Sequence, residues 1–468
     1  MATVRLIGHD YSYPVCDVLQ LFYGKASYLQ DENSCVGGDD AWVLVSIVDG
    51  DTVTTELVDG EIRLSLLSTS DKVKREVKRQ LYFVLSEILG MKFPWGSLTG
   101  IRPTLVAREA GDAGFLADFY GAREDKAHLA IETAKREDAV FSVMPPDGCV
   151  AYIGIPFCKS RCSYCSFISS DASSKEKLLA AFKECLLLEM RRFFEAPFSL
   201  PIEALYIGGG TPTVFDDDVF EDFMREALAV FVPFELKEIT VEAGRPDTIT
   251  EGKLRILHDL GVDRICINPQ SLHDRTLRRI GREHSAEDFL RAYALAREIG
   301  FRTVNADLIA GLPGESYEDF RDTLERILEL SPENITVHTL SQKRAAAMQV
   351  SDSFPEPSSE EMAQIDKMVQ FADEALKRCG YVPYYLYRQK NTLAGLENTG
   401  YSKPGHECLY NVAMMSDKAS VVAFGSGMSK RAFPGGRLER CPGLKSPDDY
   451  IHRIDSITER KIHFFEYN

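Results

Sequence analysis

The sequence predicts an α/β chain: a partial (β/α)6 barrel of the TIM type, preceded by an α+β domain and followed by a mixed C-terminal region. Three observations carry this. Apolar, strand-like runs at 150–155, 204–207, 238–241, 264–267, 303–308 and 335–337 alternate with segments of helical period, the pattern of a parallel sheet wrapped by helices. Upstream, residues 4–67 hold short β-rich runs separated by Gly and Asp turns. Past Gln342 the alternation stops, and 351–359 is rich in Pro and Ser.

Taken in order, strands are expected at 42–48, 53–58 and 62–67, then a helix over 73–89 that ends at Gly90, and further helix over 104–135. Met144-Pro145-Pro146-Asp147-Gly148 breaks the helical pattern and marks a boundary. The expected division is therefore 1–147, 148–345 for the barrel, and 346–468 covering it. The last part offers a helix over 360–379, a tyrosine-rich run at 381–387 and the turn Gly425-Ser426-Gly427.

Composition narrows the function classes. Against 71 Asp and Glu the chain carries 54 Lys and Arg, a formal charge of −17 over 468 residues, which repels a phosphate backbone and argues against nucleic acid as partner. The first ten residues lack the apolar core of an export signal, and no run reaches the ~18 apolar residues of a membrane span. A cytoplasmic protein is expected, with no membrane span. Its eleven cysteines, an odd number in a long chain, then read as reduced thiols and a metal site rather than as disulfides.

That site is Cys158-Lys159-Ser160-Arg161-Cys162-Ser163-Tyr164-Cys165, directly after the first barrel strand, where barrel active sites are built. A structural zinc site wants four protein ligands, and no second paired-cysteine motif or nearby histidine completes a tetrahedron. Three thiolates on a [4Fe-4S] cluster leave one iron open. In radical S-adenosylmethionine enzymes that iron is filled by the amino and carboxylate groups of S-adenosylmethionine, and the spacing of Cys158, Cys162 and Cys165 is the superfamily's motif.

Tyr152-Ile153-Gly154-Ile155-Pro156-Phe157-Cys158, Gly208-Gly209-Gly210-Thr211-Pro212, Glu242, Gln270, Arg282 and Asp307 resemble, in order and spacing, the radical S-adenosylmethionine oxygen-independent coproporphyrinogen III oxidase family. The resemblance runs from about Val150 to Met428. The blocks at Leu98 to Thr104, Tyr384 to Arg388 and Gly400 to Gly405 are similar to a longer bacterial branch with an extra N-terminal domain. Glycines at 208, 209 and 210, with Thr211, let backbone approach a ligand closely, and Glu242 at a strand end suits ribose hydroxyls. The resemblance implies that Gln270, Arg282 and Asp307 hold S-adenosylmethionine, one molecule or two, with Tyr152 and Tyr164 packed around it. Tyr164 stands where one branch has phenylalanine, Gly154 where histidine is usual, and Ser166-Phe167 replaces a cysteine-bearing segment.

The resemblance further implies a tetrapyrrole substrate, oxidative decarboxylation of two propionates of coproporphyrinogen III, reduced flavodoxin or ferredoxin as electron donor, and a monomer. No catalytic side chain is assigned. Lys343, Arg344, Arg388, Lys390 and Lys403 are candidate partners for the substrate carboxylates, and Tyr384, Tyr385 and Tyr387 either stack on the tetrapyrrole or form a packed strand. Two alternatives remain. One is a related heme-binding chaperone, with Cys408 or His406 on iron in place of its histidine and Tyr410 in the matching block. The other is a different radical reaction on a tetrapyrrole, such as anaerobic heme opening or methyl transfer.

Overall fold

The structure is a computed structural model describing all residues except 1, 31, 39–41, 60, 101, 166–169, 173–175, 342–357, 390–391 and 467–468, with backbone alone at 59, 61–63 and 171. Lys343, Arg344, Lys390 and Ser166-Phe167 lie outside the described residues. The chain divides into two compact units, Met1–Glu132 with Arg388–Leu396, and Thr133–Tyr387 with Glu397–Asn468.

The first unit holds β1 (Ala2–Ile7), β2 (Ser27–Leu29), β3 (Ser34–Gly37), β4 (Val43–Asp49), β5 (Thr52–Asp59) and β6 (Glu61–Thr69), in the order β2-β3-β1-β4-β5-β6. Among the described residues of this sheet, only β1 and β4 pair in parallel. Helices Ser12–Tyr23 and Val73–Leu89 bury Val15, Val18, Leu19, Val77, Leu81 and Leu85 against Val4, Leu44 and Val53 of the sheet. The second helix ends as its sequence predicts, at Gly90 in left-handed conformation with φ 65°. The helical region expected over 104–135 is present and consists of three helices, Pro103–Ala110, Ala113–Tyr120 and Glu124–Phe141. Gly111 (φ 70°) and Gly121 (φ 71°) take the left-handed conformation and end the first two, because glycine enters that region without a Cβ penalty.

The second unit is built on β7 (Cys149–Ile155), β8 (Phe157–Cys158), β9 (Ser170–Asp171), β10 (Ile202–Gly209), β11 (Glu238–Gly244), β12 (Arg264–Ile267), β13 (Thr303–Ala310), β14 (Asn334–Thr339), β15 (Val382–Arg388), β16 (Glu397–Ser402), β17 (Ser420–Gly425), β18 (Ser429–Ala432) and β19 (Leu438–Cys441). All six expected strands are present, and β7-β10-β11-β12-β13-β14 pair in parallel in sequence order. Their residues are almost continuously buried, as in a parallel sheet covered on both faces. Residues expected as a separate covering region join the same sheet. β17 pairs in parallel with β7 at one edge, and β16 pairs antiparallel with β14 at the other. Ile155, Gly209, Gly244, Ile267, Ala310 and Thr339 thus end on one side, where the predicted site residues gather.

Candidate functional site

After β7 the chain passes Pro156 and enters the two-residue β8, which pairs in parallel with β9 so that Cys158 faces Asp171. The loop beyond is tied down at several points. Ala172 N–H donates to Cys158 O (3.0 Å), Cys165 N–H to Cys162 O (3.1 Å) and Ser163 N–H to Ile280 O (2.9 Å). Thr211 Oγ1 donates to Cys158 Sγ at 3.5 Å. All three loop cysteines are free thiols. Among the described residues, no three His, Cys, Asp or Glu side chains are already closed around a metal position. The fit to an iron-sulfur cluster lies in the donor chemistry, three thiols carried on one loop.

The glycine turn is zipped onto the cysteine strand. Gly210 N–H donates to Ile155 O and Thr211 N–H to Phe157 O, both at 2.7 Å. A Cβ on Gly210 would meet Phe157 O at 2.3 Å, and one on Gly208 would meet Glu242 Oε2 at 2.7 Å. Gly209 N–H donates to Glu242 Oε2 at 3.2 Å. The N–H groups of 209, 210 and 211 are therefore used within the protein, so what glycine secures here is first the closeness of turn and cysteine strand.

Glu242 sits at the centre of the site. Tyr206 O–H donates to its Oε1 at 2.5 Å. Burial, with Asp307 nearby, pushes its carboxyl up to about 7 against the donors Tyr206 and Gly209. Gln270 is a left-handed non-glycine residue, φ 65°, whose backbone N–H donates to Asp307 O (2.9 Å) and whose carbonyl accepts from Ile309 N–H (3.2 Å). Its Oε1 is buried without a hydrogen-bond partner. A strained backbone, hydrogen-bonded to the strand that carries Asp307 and holding an orphaned acceptor, is what a ligand-binding site presents.

Asp307 accepts from Asn305 Nδ2 at 2.8 Å and lies 3.7 Å from His338 Nε2. Burial alone would raise its carboxyl; His338 and these hydrogen bonds outweigh that and hold it below the usual range. The polar series continues through Thr336 to the Tyr385 hydroxyl, and from His338 Nδ1 to the Tyr387 hydroxyl at 3.5 Å. Arg282 is buried, donating from Nη1 to the carbonyls of Asn268 (3.1 Å) and Gly244 (3.3 Å) and from Nη2 to the Tyr164 hydroxyl (3.3 Å). It ties the cysteine loop to the strand ends. Burial raises the Tyr152 and Tyr164 phenols.

Several residues of the site escaped the sequence reading. Tyr152, Tyr206 and Tyr410 form a near-parallel stack, with centroids 6.2 Å apart for Tyr152 and Tyr206, 5.7 Å for Tyr152 and Tyr410, and 4.4 Å for Tyr206 and Tyr410. Tyr206 had a legible signal, two residues before Gly208 and so on the same strand face. Tyr410, Arg245 and His338 had none, since packing across strands brings them in.

The C-terminal candidates are reassigned by their contacts. Cys408 is fully enclosed, donates to Glu238 Oε1 at 3.1 Å and is held protonated by burial, so it is no open iron ligand. His406 shares a 2.8 Å hydrogen bond with Thr303. Arg388 donates to the carbonyls of Leu98 and Gly395, and Lys403 Nζ to Ser331 O at 2.7 Å. Tyr384 and Tyr385 are buried in a strand, their hydroxyls meeting Asn411 and Thr336, which is the packed-strand alternative.

Comparison with known proteins gives the family. Residues 152–327 match the Radical SAM superfamily. The chain is 34% identical to the oxygen-independent coproporphyrinogen-III oxidase-like protein HemZ of Bacillus subtilis (strain 168), over 97% of this chain and 95% of the relative. It is 28% identical to the heme chaperone HemW of Escherichia coli (strain K12), over 67% of this chain and 80% of that protein. Among solved structures, coproporphyrinogen III oxidase HemN from Escherichia coli, a radical SAM enzyme, aligns over 70% of this chain and 73% of its own with TM-score 0.51 and 23% identity, a likeness of fold.

Proposed function

The chain belongs to the radical SAM superfamily, in the family that includes HemZ, HemN and HemW, and from that membership we propose that it converts coproporphyrinogen III to protoporphyrinogen IX without oxygen. The domain implies a [4Fe-4S] cluster and S-adenosylmethionine. Cys158, Cys162 and Cys165 would hold the cluster, leaving one iron for S-adenosylmethionine. Together, and reduced by a flavodoxin or ferredoxin, these groups supply a 5′-deoxyadenosyl radical. At each of two propionates a β-hydrogen atom would pass to that radical, giving 5′-deoxyadenosine, and loss of carbon dioxide and of one electron to a one-electron acceptor would leave a vinyl group.

The protein's own part is binding, orientation and exclusion of water. Glu242 accepts the ribose hydroxyls, the orphaned Gln270 Oε1 and the anionic Asp307 take further donors, and Tyr152 and Tyr164 wall the site. Arg282 keeps Tyr164 and the cysteine loop in register with the strand ends. The observation that carries this reading is the convergence of the glycine turn, Glu242, Gln270 and Asp307, from four successive strand ends, beside the cysteine loop.

The chaperone reading draws support from the HemW likeness, but the enclosed Cys408 thiol and the stacked Tyr410 weigh against an iron ligand in that block. The test is anaerobic reconstitution followed by assay on coproporphyrinogen III. Cleavage of S-adenosylmethionine with a vinyl product supports the proposal; cleavage without it sinks the substrate assignment, and tight heme binding without turnover favours the chaperone. Cys162→Ala is expected to abolish the cluster's absorption, and full iron retention in that variant would refute the ligand assignment.

A further inference from the structure

Arg245 is not part of the cysteine motif or of the ligand-facing set, yet it reaches into the loop between the first two cysteines. It stands immediately after β11, where the pairing with β12 slips between Glu242 and Gly244. That irregularity turns the strand end. Arg245 is only 4% exposed, and its Nη1 donates to Ser160 O at 2.8 Å. The rest of the guanidinium is held by Asp247, with Nε to Oδ1 at 3.1 Å and Nη2 to Oδ2 at 3.3 Å. Asp247 also lies 3.5 Å from Lys159 Nζ. A buried cation paired on one side and donating to a single carbonyl on the other is a rigid strut, because a guanidinium's donors form a fixed planar fork.

We propose that Arg245 is a positioning residue for the cluster-binding loop: braced by Asp247, it clamps the Ser160 carbonyl and so sets the separation of Cys158 and Cys162 before any iron is bound. Its role is distinct from that of Arg282, which grips the far end of the loop through Tyr164. Cys158 and Cys162 are thus held by an arm from the third strand of the parallel series, the strand that also carries Glu242. The inference rests on the reading that this loop carries the cluster, but its first test does not need the metal.

Hydrogen exchange of the full-length apo protein should show the amides of 159–165 exchanging about tenfold faster in Arg245→Met than in wild type, the worth of one buried charge-assisted hydrogen bond. Arg245→Lys, which keeps one donor and the charge, should fall between, and Asp247→Asn should loosen the same amides. In reconstituted protein, Arg245→Met should lose iron to a chelator about tenfold faster and change the electron paramagnetic resonance signal of the reduced cluster. Unchanged exchange and iron loss in Arg245→Met would overturn the proposal. So would a loss of protection spread evenly through β10 and β13, which would make Arg245 an ordinary core residue. Wild type that takes up no four-iron cluster refutes the cluster reading instead, and the exchange comparison still decides the clamp.

Discussion

Replacing Glu242 with Gln separates two consequences of one buried carboxyl. Its pKa is raised from 4.5 to about 7, so between those values the folded chain keeps a proton that the unfolded chain has released. Stability must then fall as pH rises through this window. A shift of that size corresponds to about 3 kcal/mol, lost progressively from pH ~4.5 and fully absent above pH ~7. Gln cannot ionise, so the variant escapes the loss; the mismatch of its amide against Gly209 N–H costs about 1 kcal/mol at every pH. Denaturant unfolding of both proteins from pH 4.5 to 8 should give a variant-minus-wild-type difference that climbs by about 3 kcal/mol. Ligand binding should run the opposite way in wild type. The ionised carboxylate is the better acceptor for ribose hydroxyls, so affinity for S-adenosylmethionine, measured by anaerobic calorimetry, should rise about tenfold from pH 6 to pH 8. The Gln variant should bind weakly and without that slope. A stability difference that stays flat with pH would refute the buried-carboxyl argument.

Tyr206→Phe removes the donor that opposes the rise of Glu242, so the pH midpoint for S-adenosylmethionine binding should move upward, readable in the same titration. Gly210→Ala forces a Cβ to within 2.3 Å of Phe157 O and 2.9 Å of Ile155 O; backbone must shift, at about 1–3 kcal/mol, and iron bound per chain after reconstitution should drop with it. Glu189 is fully buried, pairs with Lys461, and accepts from Tyr450 O–H at 2.6 Å and Gly425 N–H at 3.0 Å. Glu189→Leu should cost about 3–5 kcal/mol by stranding the lysine, and adding Lys461→Met should recover much of it in denaturant unfolding.

Much of the fold was legible because its signals are local. A strand buried on both faces is a short apolar run whatever its neighbours, so all six parallel strands and their order could be read off, as could the helix closed by Gly90. The breaks inside the helical region 103–141 were not legible, because Gly111 and Gly121 are tolerated inside helical patterns and end a helix only when the chain turns there. The C-terminal region was harder still. Whether β16 and β17 cover the barrel or extend its sheet depends on hydrogen bonds to β14 and β7, far away in sequence, and period-2 patterning is the same in either case.

The site divides along the same line. The candidates Cys158, Cys162 and Cys165, the run from Gly208 to Thr211, and Glu242, Gln270 and Asp307 could be named from the chain itself, as types and spacings that the proposed iron-sulfur and nucleoside chemistry would use. Their environment could not. That Glu242 is lifted to about 7, that Tyr410 completes a stack with Tyr152 and Tyr206, and that Arg245 braces the Ser160 carbonyl are outcomes of tertiary packing. Burial and hydrogen bonds between residues tens to hundreds of positions apart set charge and orientation, and a sequence specifies such neighbours only by folding.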